Sequence, residues 1–429
     1  MKRTIAPARW YRLLPVAFIT YSLAYMDRTN FGFGMAGGMA KDLGITSAMS
    51  SLLGSMFFLG YFFFQIPGVL YASNKSAKKL IFWSLILWGL CAMATGLISN
   101  ISVLMVIRFM LGVMESAVFP SMVLLLSRWF VKAERSRANT LLIFGNPITV
   151  LWMSIMSGYL INALGWRWMF IWEGLPAIVW AFFWWRLADD KPKDARWLSQ
   201  DEKDELERRL QMEQQGIKPV KNYLTVFKSP LVILLCLLFA LWSVGVYGFV
   251  IWLPSILNAA SGMTIVKTGW LSAFPFFMSI IGMIIVSYCS DRTLKRKLFI
   301  WPFLLLGAIT FYCSYLVGPH NFWLSFALLS ISGMAMYIPY GPFWAIITEI
   351  IPANVAGGAI AIINSFGALG AFAGSYLVGY LNGTKGFGAS YIFMAGSLFL
   401  SAILVMIAIK DPGKIQEHPV EPQKTKLLV

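Results

Sequence analysis

The chain has 429 residues, 58% of them hydrophobic and 13% charged, with a net charge of +16. A soluble protein carries about 25% charged residues and could not bury so much apolar surface, so a bilayer is the matching solvent. The basic excess does not point to nucleic acid, because Lys and Arg are scattered through short loops between apolar runs.

Met1 to Arg12 is basic, but the apolar run behind it is too long for a signal peptide and carries Asp27-Arg28. Stretches of about 20 apolar residues are predicted at 13–40, 47–72, 80–99, 101–127, 138–164 and 168–187. A second set follows at 230–259, 264–290, 298–318, 321–350, 357–383 and 387–409. The twelve runs predict an all-α membrane protein with both termini on one side. Apart from Arg28 and Arg108, which lie inside runs, only Lys41, Arg167, Lys267 and Lys385 fall on the opposite face. That asymmetry predicts cytoplasmic termini. Cys91, Cys236, Cys289 and Cys313 sit in apolar runs without CxxC spacing, which suits helix packing rather than disulfides or metal ligation.

The first run holds the pair Asp27-Arg28, and the fourth holds Arg108 and Glu115 as its only charges. Each costs roughly 2.5–3.5 kcal/mol at the bilayer centre on insertion scales. Seven residues make about 700° of rotation, so Arg108 and Glu115 share a face roughly 10 Å apart, with Gly112 between them. A cation, a gap and a protonatable acid on one stripe suit a path for an anion and a proton; a buried structural ion pair is the alternative. Glu173 and Glu349 read as structural groups toward the ends of their runs. The glycine pairs Gly34/Gly38 and Gly370/Gly374 have GxxxG spacing for close helix packing.

Residues 188–229 divide six runs from six. Within them Ser199 to Leu210 predicts a short charged helix with Ser199 as its cap, and Gln214 to Lys221 a polar linker. The whole segment reads as a solvated strap. The divisions expected are a first six-helix bundle at 1–187, the central loop at 188–229, a second bundle at 230–409 and a polar tail at 410–429. The halves repeat: Gly68 to Asn74 and Lys75-Ser-Ala-Lys78-Lys79 after the second run correspond to Ser290-Asp291-Arg292 and Lys295-Arg296-Lys297 after the eighth.

These loops resemble the cytoplasmic-gate signature of the major facilitator superfamily, a Gly followed by Asp-Arg/Lys and a basic pair. The second copy keeps the acid as Asp291, beside Arg292; the first has Asn74 in its place and Ala77 at a usual Gly. Within that superfamily the chain resembles the anion:cation symporters, which handle galactonate, hexuronates, tartrate and similar acids. The resemblance rests on Tyr25-Met-Asp-Arg-Thr-Asn30, Gly60-Tyr61, Gln65-Ile-Pro-Gly68, Arg108 through Pro120 and Glu173-Gly-Leu-Pro176. It continues with Ala195-Arg-Trp-Leu-Ser199, Trp252-Leu-Pro254, Gly341-Pro-Phe-Trp344 and Asn364-Ser-Phe-Gly367.

It implies the major facilitator fold, twelve transmembrane helices in two pseudo-symmetric six-helix bundles, with a binding site near the midplane. It also implies an inner-membrane transporter, expected to work as a monomer, that imports a carboxylate with protons. Arg28 and Arg108 suit a carboxylate, since guanidinium presents a fixed fork to a planar anion. By resemblance Asp27 and Glu115 couple protons, Tyr25, Tyr61, Trp344 and Asn364 line a sugar-acid site, and Asn74, Asp291 and Arg292 serve the gate. Phe144-Gly-Asn-Pro147 departs from relatives with a substrate-reaching Gln, and Asn146 is the substitute. An organic-anion exchanger or a carrier of tartrate or aromatic acids is the alternative. Residues 231–266 hold no Lys, Arg, Asp or Glu, which argues against a phosphate-ester antiporter. His320 and His418 fall in a loop and the tail. No nucleophile–base set or metal-spaced cluster stands out, so neither an enzyme nor a cofactor or metal is expected.

Overall fold

The structure is a computed structural model, and it describes residues 8–214, 229–293, 295–350 and 353–409. Among these residues every regular element is helical. Lipid offers no partner for a free backbone N–H or C=O, so a crossing segment must satisfy its own. Short polar caps start several helices where the loops end. Thr46 accepts from the Met49 N–H at 3.3 Å, Ser76 from Lys79 at 3.0 Å and Asn100 from Val103 at 3.1 Å.

In chain order these are α1 (Ala8–Gly34), α2 (Ser47–Asn74), α3 (Ala77–Leu97), α4 (Ile101–Glu115) and α5 (Val118–Ser127). Next come α6 (Lys132–Ile143), α7 (Gly145–Leu187) and α8 (Gln200–Gln214). The rest are α9 (Pro230–Ser261), α10 (Ile265–Thr293), α11 (Trp301–Val317), α12 (Phe322–Tyr337), α13 (Tyr340–Ile350), α14 (Ala353–Lys385) and α15 (Phe387–Ala408).

Among the described residues ten helices are long and apolar enough to cross a membrane, against twelve runs in the sequence. Two features account for the difference. The fifth and sixth runs form one 47-residue stretch, Leu141–Leu187, which would measure about 70 Å if straight, more than twice a hydrocarbon core. Gly165 breaks it with φ 83 and ψ 166, backbone that only glycine adopts cheaply. The first run, α1, is too polar to qualify, yet its second half is buried throughout by protein.

Apolar side chains face outward as well as inward: Trp83, Val106, Phe182, Ile284 and Ile309 are all more than half exposed. That surface suits lipid. Inside, one apolar core is built almost wholly from residues 232–409 and another from residues 13–206. The two meet where glycine admits a neighbouring backbone. Gly32 lies against Ile251, Gly158 against Ile265 and Gly269 against Ser154, while within the core at 232–409 Gly374 lies against Val244. Gly34 and Gly370 also sit at close approaches, to Phe170 and Ala240, but Gly38 does not. It meets nothing, and its φ of 112 inside a π-turn at Met35–Met39 makes its role conformational.

The stretch after α7 is not a free strap. Ala188, Ala195, Leu198 and Leu206 are buried, and Trp197 stacks on Trp129 at 5.4 Å. Asp190 accepts from Ser76 Oγ at 2.5 Å and from the Lys78 N–H at 3.0 Å, so this stretch is pinned to the start of α3. Ser199 does cap α8, accepting from the Glu202 N–H at 3.4 Å, while Glu202 takes the Ser199 N–H at 3.0 Å. Residues 215–221 of the expected linker, and the tail at 410–429, lie outside the described residues. Two residues read as loop charges are buried instead: Arg9, held by Glu134 and the Trp129 carbonyl, and Arg296.

Candidate functional site

Three apolar runs are interrupted where they approach the middle of the molecule. The fourth tightens directly after Glu115, where the Ser116 N–H turns to the Val113 carbonyl at 3.3 Å. The fifth breaks at Phe144, ahead of Asn146-Pro147, and the tenth at Ile338-Pro339, between Tyr337 and Tyr340. Broken helices at membrane depth expose backbone and turn polar side chains toward a cavity.

Such a cavity lies between the two cores. Arg28, Tyr61, Trp344 and Asn364 line it, four residues singled out by sequence. Tyr21, Asn146, Ser243, Tyr247 and Tyr340 add polar groups, and Phe58, Phe119 and Phe239 add apolar rings. Arg28 is its one cation among the lining residues. Buried polar atoms without a protein partner converge here: Arg28 Nη2, Ser243 Oγ and Asn146 Oδ1. A buried donor or acceptor left unmade costs about 1–3 kcal/mol, which a polar occupant would recover. Just beyond Asn364, Ser365 donates to Gln65 Oε1 at 2.8 Å, joining α14 to α2.

Two other sequence candidates stand apart from this cavity. Tyr25 is buried and its hydroxyl pairs with that of Tyr337 at 3.1 Å, bridging the halves. Arg108 is 2% exposed and lies over the Phe31 ring at 4.5 Å. Both arginines reach the Phe57 ring, each guanidinium standing 5.7 Å from its centroid. Gly112, read as a gap beside Arg108, is filled: a Cβ there would strike the Phe57 carbonyl. Gly60 meets the Phe109 carbonyl in return, so α2 and α4 cross at backbone distance.

The charged groups form a compartment behind the cavity. Arg28 Nε donates to Glu115 Oε2 at 3.3 Å, with Glu115 fully buried and its Oε1 unpartnered. Arg28 also lies over the Tyr61 ring at 4.7 Å. Asp27 accepts from Asn30 Nδ2 at 3.1 Å, its Oδ2 has no partner, and the Arg108 charge acts on it. Glu173, toward the end of its run, is 0% exposed and accepts from Ser157 Oγ at 3.0 Å.

At the gate, Asn74 ends α2 and is exposed, and Arg292 in the last turn of α10 lies 5.5 Å from the Tyr288 ring. The side chains of Asp291 and Glu349 lie outside the described ones.

A helical membrane fold with a cavity between two cores, charged groups buried behind it and broken helices around it defines a transporter. The family model of the major facilitator superfamily matches residues 17–375, and the chain belongs to that superfamily: it is a multi-pass membrane transporter and not an enzyme. It is 29% identical over 415 residues to an Agrobacterium vitis protein named "Putative tartrate transporter", covering 95% of this chain and 92% of that one. It is 30% identical over 427 residues to a quinolone resistance transporter of Acinetobacter baumannii, covering 96% and 97%. Among solved structures, a D-xylose-proton symporter matches with a TM-score of 0.74 over 94% of this chain and 98% of that chain. At 14% identity that likeness is one of fold alone.

Proposed function

We propose that this protein imports a hydroxylated carboxylate, a sugar acid such as an aldonate, uronate or aldarate, together with protons. Its chain would cross the inner membrane twelve times, as bundles at 1–187 and 230–409, with both termini cytoplasmic and the monomer as the working unit. The observation that carries the reading is Arg28. Its Nη2 is unpartnered at a cavity otherwise lined by hydroxyl, amide and aromatic groups, while its Nε is tied to a buried acid. A carboxylate on the guanidinium leaves the substrate hydroxyls to Ser243, Asn364 and the tyrosines. The relative named for tartrate, itself a hydroxylated acid, supports the same class.

Coupling follows from competition for Arg28. An ionised Glu115 and a substrate carboxylate repel one another across the same guanidinium, so protonating Glu115 favours binding. Asp27 and Arg108 form the second acid–cation set. A monoanion entering alone works against a negative-inside potential by about 2.3 kcal/mol per 100 mV, and one proton cancels that charge. The outer seal at Gly158–Ile265 and the inner gate would alternate.

The phenylalanine and tryptophan rings favour a second reading, an aromatic carboxylate, and the relative named for quinolone resistance suits it. Thermal shift of purified protein against sugar acids, tartrate and aromatic acids separates the two, since a ligand stabilises by mass action. Uptake into proteoliposomes under an imposed pH gradient then tests the coupling. Accumulation indifferent to the gradient would leave an exchanger or facilitator.

A further inference from the structure

The cavity wall is charged on one side only. Arg28 supplies its cation from α1, with Nε donating to Glu115 Oε2 at 3.3 Å and Nη2 unpartnered. From the other core, α9, α13 and α14 contribute Phe239, Ser243, Tyr247, Tyr340, Trp344 and Asn364. Ring, hydroxyl and amide groups make up that wall, and none of them carries a charge. Phe239, Ser243 and Tyr247 follow one another at four-residue spacing, so the neutral stripe on α9 runs for about 12 Å. The lack of charge is already written in the sequence. Across residues 229–290 and 298–409 the only Lys or Arg are Lys267 and Lys385. Both are exposed, one in the first turn of α10 and the other at the end of α14.

Arg108 does not make up the difference. It is 2% exposed, its guanidinium lies over the Phe31 ring at 4.5 Å, and it does not line the cavity. A ligand with one carboxylate therefore meets one guanidinium. A ligand with two brings a second carboxylate that hydroxyls and amides can hydrogen-bond but cannot neutralise, and a buried charge without a partner is costly. Protonating Glu115 frees Arg28 without adding a second cation, so the excess charge of a diacid remains.

We propose that the cavity selects monocarboxylates over dicarboxylates, the single acid group on Arg28 and the uncharged end of the ligand against Ser243, Tyr247 and Trp344. This selectivity rests on the carboxylate reading and narrows it. Aldonates, uronates and aromatic monoacids fit, whereas aldarates and tartrate, with an acid at each end, do not. It sets this chain apart from the relative named for tartrate, although the likeness covers 95% of this chain.

Calorimetric titration of purified protein at neutral pH with matched pairs of acids tests the selectivity. Gluconate and glucarate, threonate and tartrate, and benzoate and terephthalate each differ by a second carboxylate. In every pair that binds, the monoacid should bind at least about 100-fold tighter, the factor expected for a buried carboxylate left without a cation. The monoamide of the same diacid, equal in size but singly charged, should bind within about tenfold of the monoacid. Ser243→Lys places a cation on the neutral wall and should shrink the preference by at least about tenfold. Asn364→Lys stands in if that variant gives no monodisperse protein. A diacid that binds as tightly as its monoacid overturns the proposal and leaves the carboxylate reading intact. A monoamide rejected along with its diacid overturns it too, since the wall then excludes by shape. So does a preference unchanged in a lysine variant that still binds the monoacid. Binding of no acid in any pair removes the carboxylate reading itself, and the selectivity with it.

Discussion

Replacing Glu115 by glutamine isolates the competition for Arg28. The pair is direct, with Arg28 Nε 3.3 Å from Glu115 Oε2 and Arg28 Nη2 unpartnered at the cavity. A substrate carboxylate on Nη2 would lie roughly 6 Å from an ionised Glu115. At an effective dielectric near 20 their repulsion is about 2.8 kcal/mol, a factor of about 100 in affinity. Wild-type binding should therefore be strongest on the acid side, where Glu115 is protonated, and weaken by up to about 100-fold as pH rises. Glu115→Gln is neutral at every pH, so its affinity should stay near the acid-side value. Calorimetric titration of both proteins with the same acid, from mildly acidic to alkaline pH, reads the difference directly. The free variant should also melt lower, since it strands a buried guanidinium, and should gain more from ligand than wild type does. Parallel pH profiles, or a variant weaker at every pH, would refute the competition.

The two arginines should separate experimentally. Arg28→Lys keeps the charge but loses the fork, and binding should weaken by about 10- to 100-fold in the same titration. Arg108→Gln should leave affinity within about threefold while abolishing gradient-driven accumulation, because Arg108 balances the charge of Asp27 and does not line the cavity. Ser243→Ala and Asn364→Ala should each cost about 0.5–1.5 kcal/mol of binding for hydroxylated acids and nothing for an unsubstituted aromatic acid, as thermal shift would show. Gly158→Leu places a Cβ 3.0 Å from the Ile265 carbonyl, so the outer seal should fail and uptake fall with binding retained. At the gate, Asp291→Asn should impair uptake more than Asn74→Ala at matched expression, since Asn74 ends its helix exposed.

Composition and periodicity determined much of this protein by themselves. Runs of apolar residues leave a membrane as the only solvent, and charges such as Arg28, Glu115 and Arg108 are too costly there to be incidental. Their spacing within one helix was also legible, because 3.6 residues per turn fixes a face. What helical periodicity cannot report is which neighbour fills that face. Gly112 reads as an opening and is occupied by the Phe57 backbone; Arg108 reads as a twin of Arg28 but lies over the Phe31 ring and does not line the cavity. Ser243, Tyr247 and Tyr340 were ordinary hydroxyls in apolar helices until packing turned them toward one cavity. Glu173 reads as an acid near the end of its run, and only packing closes it off from water and sets it against Ser157. Sequence placed the charges in the membrane; the packing of distant helices decided which of them meet, because that depends on side-chain volumes hundreds of residues apart.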